Sequence, residues 1–150
     1  MTPNAKNTSN HKSGMTLLEL TVVALVLLSL VSILAIGAST WKRGSDRCAS
    51  ILQIRNVQQA VRAYANANGV DPGQAPAMPK GKSLKDEIFG AGKFISIDPT
   101  SSERTHPGGS DYSFTIPHPT IVPPVGELYM NVTGPNAEIY LPGQDDVQGW

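Results

Sequence analysis

The sequence predicts an α+β protein. One long N-terminal helix, membrane-spanning in its first half and amphipathic in its second, is expected to pack on a small antiparallel β-sheet. Three observations predict it. An apolar run extends from Met15 to Ala38, broken by a single charge. No proline interrupts residues 15–68. Residues 69–150 then hold 11 of the 14 glycines and 11 of the 12 prolines, which is the composition of turns and short strands.

These shifts divide the chain into a polar leader at 1–14, an apolar segment at 15–38, a polar-to-amphipathic stretch at 39–68 and a Gly/Pro-rich β domain at 69–150. The leader carries Lys6, His11 and Lys12 and no acid. Over 150 residues, 12 basic side chains balance 12 acidic ones. They form no basic stripe, so no nucleic-acid partner is expected. One cysteine, Cys48, excludes an internal disulfide framework and a Cys-based zinc cluster. It reads as a small packed or exposed thiol.

The apolar segment is the first element. From Leu20 to Ala38, 19 residues carry no charge. About 20 apolar residues cross a hydrocarbon core at 1.5 Å per residue. A buried core helix of the same composition needs apolar partners on every side, and the rest of the chain does not supply them. A cleaved secretory signal has a shorter apolar stretch, about 7–15 residues. Lys6 and Lys12 before the run and Lys42, Arg43 and Arg47 after it pull the orientation in opposite directions, so charge alone leaves the topology open.

Glu19 is the anomaly. It is the fifth residue of the run counted from Met15. An acidic or basic side chain at the centre of a membrane helix costs roughly 2.5–3.5 kcal/mol on insertion scales, so an ionisable residue there calls for a partner. The alternative is a carboxylate solvated at headgroup depth.

At this point the residues resemble a known family. Gly14-Met15-Thr16-Leu17-Leu18-Glu19-Leu20, followed by an uninterrupted apolar run, is similar to the N-terminal signal of type IV prepilins and of type II secretion pseudopilins. The resemblance covers residues 1 to about 40. Met15 stands where the family most often has phenylalanine. The resemblance implies a pilin-like fold, cleavage between Gly14 and Met15 by a prepilin peptidase, and N-methylation of the new Met15 amine. Loss of Lys6 and Lys12 would reduce the 12 basic residues to 10 against 12 acidic ones. It further implies a bacterial inner-membrane protein with a single span and its C-terminal domain outside the cytoplasm. Its partners would be an inner-membrane assembly platform, membrane lipid, and copies of itself or other pilin-like subunits in a filament.

In such a filament the Met15 amine would meet Glu19 of a neighbouring subunit. Desolvating two charges is expensive, so the pair is better read as an assembly and register device than as net stabilisation. Three functions stay open at this stage. The first is a structural subunit of a type IV pilus-like filament. The others are a pseudopilin of a type II secretion system and a membrane-anchored binding module that does not polymerise.

Residues 45–68 place Ile51, Ile54, Val57, Val61, Tyr64 and Ala65 on one helical stripe, with Arg55, Gln58, Gln59 and Arg62 on the other side. Gly69 and Pro72 predict the stop. Gly37 and Gly44 are positions for bending. Beyond the helix, 69–82 and 98–110 read as loops. Ser83–Phe89 reads as a short helix with Ser83 as N-cap and Gly90 as its stop. Tyr112–Ile116 reads as a strand, and the four prolines of 117–126 as extended chain.

Glu127–Val132 and Ala137–Leu141 read as a hairpin around Thr133-Gly134-Pro135-Asn136. Leu128, Met130 and Val132 would form one apolar face, matched by Ile139 and Leu141, covering the stripe Ile51–Tyr64. Asp145 and Asp146 fall in a tail loop without the ligand spacing of a calcium site. His106 and His118 read as exposed loop residues. No motif for a nucleophile, a phosphate loop or a metal centre is present, so neither an enzyme nor a cofactor is expected.

Overall fold

The computed structural model describes residues 16–150. The chain divides into two compact units, with the boundary between Thr40 and Trp41. Helix α1, Leu17–Asn68, has 52 residues. At 1.5 Å per residue it is about 78 Å long. Gly37 and Gly44 both lie inside it without interrupting it. The expected first residue, Met15, lies outside the described residues.

The C-terminal stop is the one expected. Gly69 takes φ +63°, the left-handed conformation that glycine adopts without a Cβ penalty. The Val70 N–H then reaches back to the Ala65 carbonyl at 2.9 Å, and the Gly69 N–H to Asn66 at 3.5 Å. These two bonds form a Schellman closure, and Val70 packs on the core to which Ala65 belongs.

In the second unit, α1 buries Ser50, Ile54, Val57, Gln58, Ala60, Val61 and Ala65. Of these, Ile54, Val57, Ala60, Val61 and Ala65 share one core with Leu84 and Ile88 of α2, Leu84–Ile88, and with Phe89, Phe114, Val122, Tyr129, Met130, Val132 and Tyr140. Ser83 caps α2 as expected. Its hydroxyl accepts from Asp86 N–H, and the Asp86 carboxylate accepts from Ser83 N–H at 2.7 Å. The Ser83 N–H and, at 2.8 Å, the Ser83 hydroxyl both donate to Asp86 Oδ2 and hold that carboxyl below its usual range.

Among the described residues the sheet has two strands. β1, Ser113–Thr115, lies within the expected strand and pairs antiparallel with β2, Asn131–Thr133, with Phe114 opposite Val132. The expected hairpin is absent. Ala137–Tyr140 is a 3₁₀ turn, and Ile139, assigned to a partner strand, is exposed. The cause is local. Gly134 takes φ +144° and Asn136 takes φ +51°, with Pro135 between them. A proline offers no N–H to a ladder, and a left-handed residue leaves strand geometry.

Register along residues 128–132 also differs from the expected alternation. Tyr129 and Met130 are both buried while Leu128 is only half-buried. Asp145 and Asp146 lie in α3, Gln144–Val147, rather than in a loop.

Gln58 and Arg62, placed by sequence on the polar side, instead tie α1 to the loops. The Gln58 side-chain amide donates to Glu127 O at 2.9 Å and accepts from Tyr129 N–H at 2.9 Å. The Arg62 guanidinium donates to the carbonyls of Pro123, Pro124 and Trp150 at 2.7–3.0 Å. Proline has no N–H to donate, so proline-rich chain does not enter a sheet, and side chains satisfy its carbonyls instead.

Candidate assembly site and the buried histidine

The sequence singles out Gly14, Met15 and Glu19. Gly14 and Met15 lie outside the described residues, and Glu19 lies in the first turn of α1. Thr16 is the residue just before that helix. Its N–H and its hydroxyl both donate to Glu19 Oε2, at 2.8 and 3.0 Å. The Glu19 N–H donates to Thr16 Oγ1 at 3.3 Å. This Thr-x-x-Glu arrangement is a capping box, which satisfies helix-start donors that have no partner within the helix. It gives Glu19 a local role that was readable from the four-residue spacing. Both Thr16 donors use Oε2.

From Thr16 to Thr40 every residue is exposed. Leu17 is 81% exposed, and Leu25, Leu34 and Ile36 are each 70% exposed. A window of this helix reaches a mean hydropathy of 2.8 with none of it buried, so it is long and apolar enough to cross a membrane.

Its hydroxyls are suited to an apolar surrounding. Thr21, Ser29, Ser32, Ser39 and Thr40 each donate to a carbonyl three or four residues back, at 2.7–3.2 Å. Glu19 is therefore the one ionisable side chain between Leu17 and Trp41.

In the second unit, His106 is not the exposed loop residue that sequence suggests. It is 3% exposed, whereas His118 is exposed as expected. Its Nδ1 accepts from Gly108 N–H at 2.9 Å. A ring nitrogen that accepts carries no proton, so in the neutral ring the proton sits on Nε2. Nε2 lies 3.1 Å from Ser50 Oγ and donates to it, and Ser50 Oγ donates to Tyr140 O at 3.1 Å. The serine proton thus points away from the imidazole. This pair is a structural relay rather than a base and its nucleophile.

Three aromatic rings surround His106. Their centroids lie 4.4 Å (Phe114), 5.0 Å (Tyr140) and 5.7 Å (Tyr112) from its own. Gly108 is required there, because a Cβ on it would lie 2.5 Å from Tyr140 Cζ. No sequence motif marks this cluster, since its members come from four separate segments.

Elsewhere an open groove of about 640 Å³ runs between α1 and residues 94–104, with Phe94 and Ile97 half-exposed on its wall. Among the described residues that line it, Arg104 is the one charged side chain. Cys48 is exposed. Among the described residues, no three His, Cys, Asp or Glu side chains gather where they could share a metal ion. No protein-family model, no curated protein and no solved structure matches this chain.

Proposed function

We propose that this chain is a structural subunit of a type IV pilus-like filament, with a pilin-like fold, assembled from the bacterial inner membrane after cleavage between Gly14 and Met15. The observation that carries the reading is the fully exposed apolar first part of α1 with Glu19 as its one ionisable group. Lipid covers that surface before assembly, and other copies or other pilin-like subunits cover it afterwards. The N-methylated Met15 amine of one subunit then meets Glu19 of the next. A prepilin peptidase and an inner-membrane assembly platform act on the chain. A pseudopilus of a type II secretion system uses the same parts, and recovery in filaments sheared from the cell surface separates the pilus from it.

One observation favours a different class. The capping box explains Glu19 without any neighbour, as expected of a membrane-anchored module that never polymerises. Intact mass and N-terminal sequence of the protein from native membranes decide between them. A chain starting at N-methylated Met15 supports the filament subunit. A chain still starting at Met1 in a cell with an active prepilin peptidase overturns it.

A further inference from the structure

We propose that His106 is a pH-operated latch that holds the 106–109 turn and the 3₁₀ turn Ala137–Tyr140 onto α1 at neutral pH and releases both as the surroundings acidify. The argument rests on donor and acceptor roles. Gly108 N–H points at Nδ1 and occupies it at 2.9 Å. Protonation would place a second N–H on Nδ1, facing the first, and turn an attractive contact into a donor–donor clash. The only other ring nitrogen already serves Ser50, whose hydroxyl in turn holds the Tyr140 carbonyl. Loss of the first bond therefore loosens a continuous relay from the 106–109 turn through α1 to the 3₁₀ turn.

The surroundings act in both directions. From α1, Asp46 is the carboxylate that favours the imidazolium, and Arg43 lies near Tyr140. From β1 and its approach come Phe114 and Tyr112, and from the 3₁₀ turn comes Tyr140, with ring centroids 4.4–5.7 Å from that of His106. Burial opposes the charge and is the larger influence, so the His106 ring is held below the ordinary histidine range. A histidine with a depressed folded-state pKa leaves stability intact above its unfolded value of about 6.5 and removes it as pH falls below that value. The loss levels off once the folded form also protonates.

The first test uses the full chain in detergent micelles, with hydrogen exchange corrected for the intrinsic pH dependence of exchange. Protection of amides in 106–112 and 137–141 should be constant from pH 8 to 7. It should fall as pH drops below about 6.5, by about tenfold for each unit separating the folded and unfolded pKa values. His106→Gln, which retains a donor toward Ser50 but does not titrate, should show no such step. An unchanged wild-type profile, or the same step in His106→Gln, overturns the latch. Ring ¹⁵N shifts of wild-type His106 provide a second test that needs no variant. Protonated Nε2 with bare Nδ1 at pH 7.5, becoming doubly protonated on acidification, is expected. Protonated Nδ1 at pH 7.5 overturns it.

Discussion

Glu19 can serve as a cap, as a charge partner, or as both, and two substitutions separate these roles. Glu19→Ala removes the oxygen that accepts from Thr16 N–H and Oγ1. Loss of a helix N-terminal cap costs about 0.5–2 kcal/mol. Glu19→Gln keeps a side-chain oxygen at the same position, and glutamine closes a capping box as glutamate does. It removes the charge alone. In the proposed filament this strands the Met15 amine of a neighbour, and breaking a buried pair by removing one partner costs about 3–5 kcal/mol.

At 1.4 kcal/mol per tenfold, that is a loss of about 10²–10³-fold or more in the association equilibrium. The assay is the amount of chain in sheared filaments, divided by the amount in the membrane pool. If charge pairing sets assembly, both variants fall by at least about 100-fold. If capping is the whole role, only the alanine variant falls, and by roughly 30-fold or less. Glutamine assembling at the wild-type level would refute the pairing argument.

The remaining predictions concern the second unit and are read as thermal unfolding of the full chain in micelles, followed by near-ultraviolet circular dichroism of its tyrosines. Gln58→Ala leaves the buried Tyr129 N–H without its acceptor and opens space in the core, and should destabilise by about 2–4 kcal/mol. Gly134→Ala places a Cβ 2.6 Å from Asp111 O and from the Tyr112 ring at a positive φ, so its cost of about 2–3 kcal/mol should exceed that of Gly69→Ala. At Gly69 the space is open and only the left-handed conformation opposes a side chain, for about 1 kcal/mol. Ser83→Ala removes the α2 capping box and should cost about 1 kcal/mol.

What was legible in the sequence was decided locally. The proline-free stretch, Gly69 and the Ser83–Asp86 spacing each fix a helix or its end through neighbours only a few residues away. The hairpin failed because strand pairing is not local. Val132 finds Phe114, 18 positions earlier, while Pro135 and left-handed Asn136 turn the following chain into a 3₁₀ turn.

Gln58 was misplaced for a different reason, and the sequence did carry a signal. It lies four residues after Ile54 and three before Val61, on the buried face by helical geometry. Its polarity argues for the solvent side, whereas in the fold the backbone groups of Glu127 and Tyr129 take a buried amide as their partner. His106 and Ser50, 56 positions apart, left no comparable trace.

The first part of α1 raises the question of what can select its neighbours. Leucine and valine gain little by exchanging lipid tails for other leucines and valines, because both surroundings are apolar. The serine and threonine hydroxyls from Thr21 to Thr40 are already bonded to the helix's own carbonyls, so they make no strong demand on a partner. Shape alone then distinguishes one stagger from another over most of the segment, and shape repeats nearly every turn.

Glu19 does not repeat. The capping box satisfies hydrogen bonds at Oε2 but leaves the carboxylate its charge, and lipid tails cannot stabilise that charge. In the proposed filament, a stagger that brings an amine to Glu19 is favoured over one displaced by a turn, in which the charge stays unpaired. The cap and the register device are then compatible. In that proposed filament the cap would orient the carboxylate before assembly, and the neighbouring amine would supply what the cap lacks.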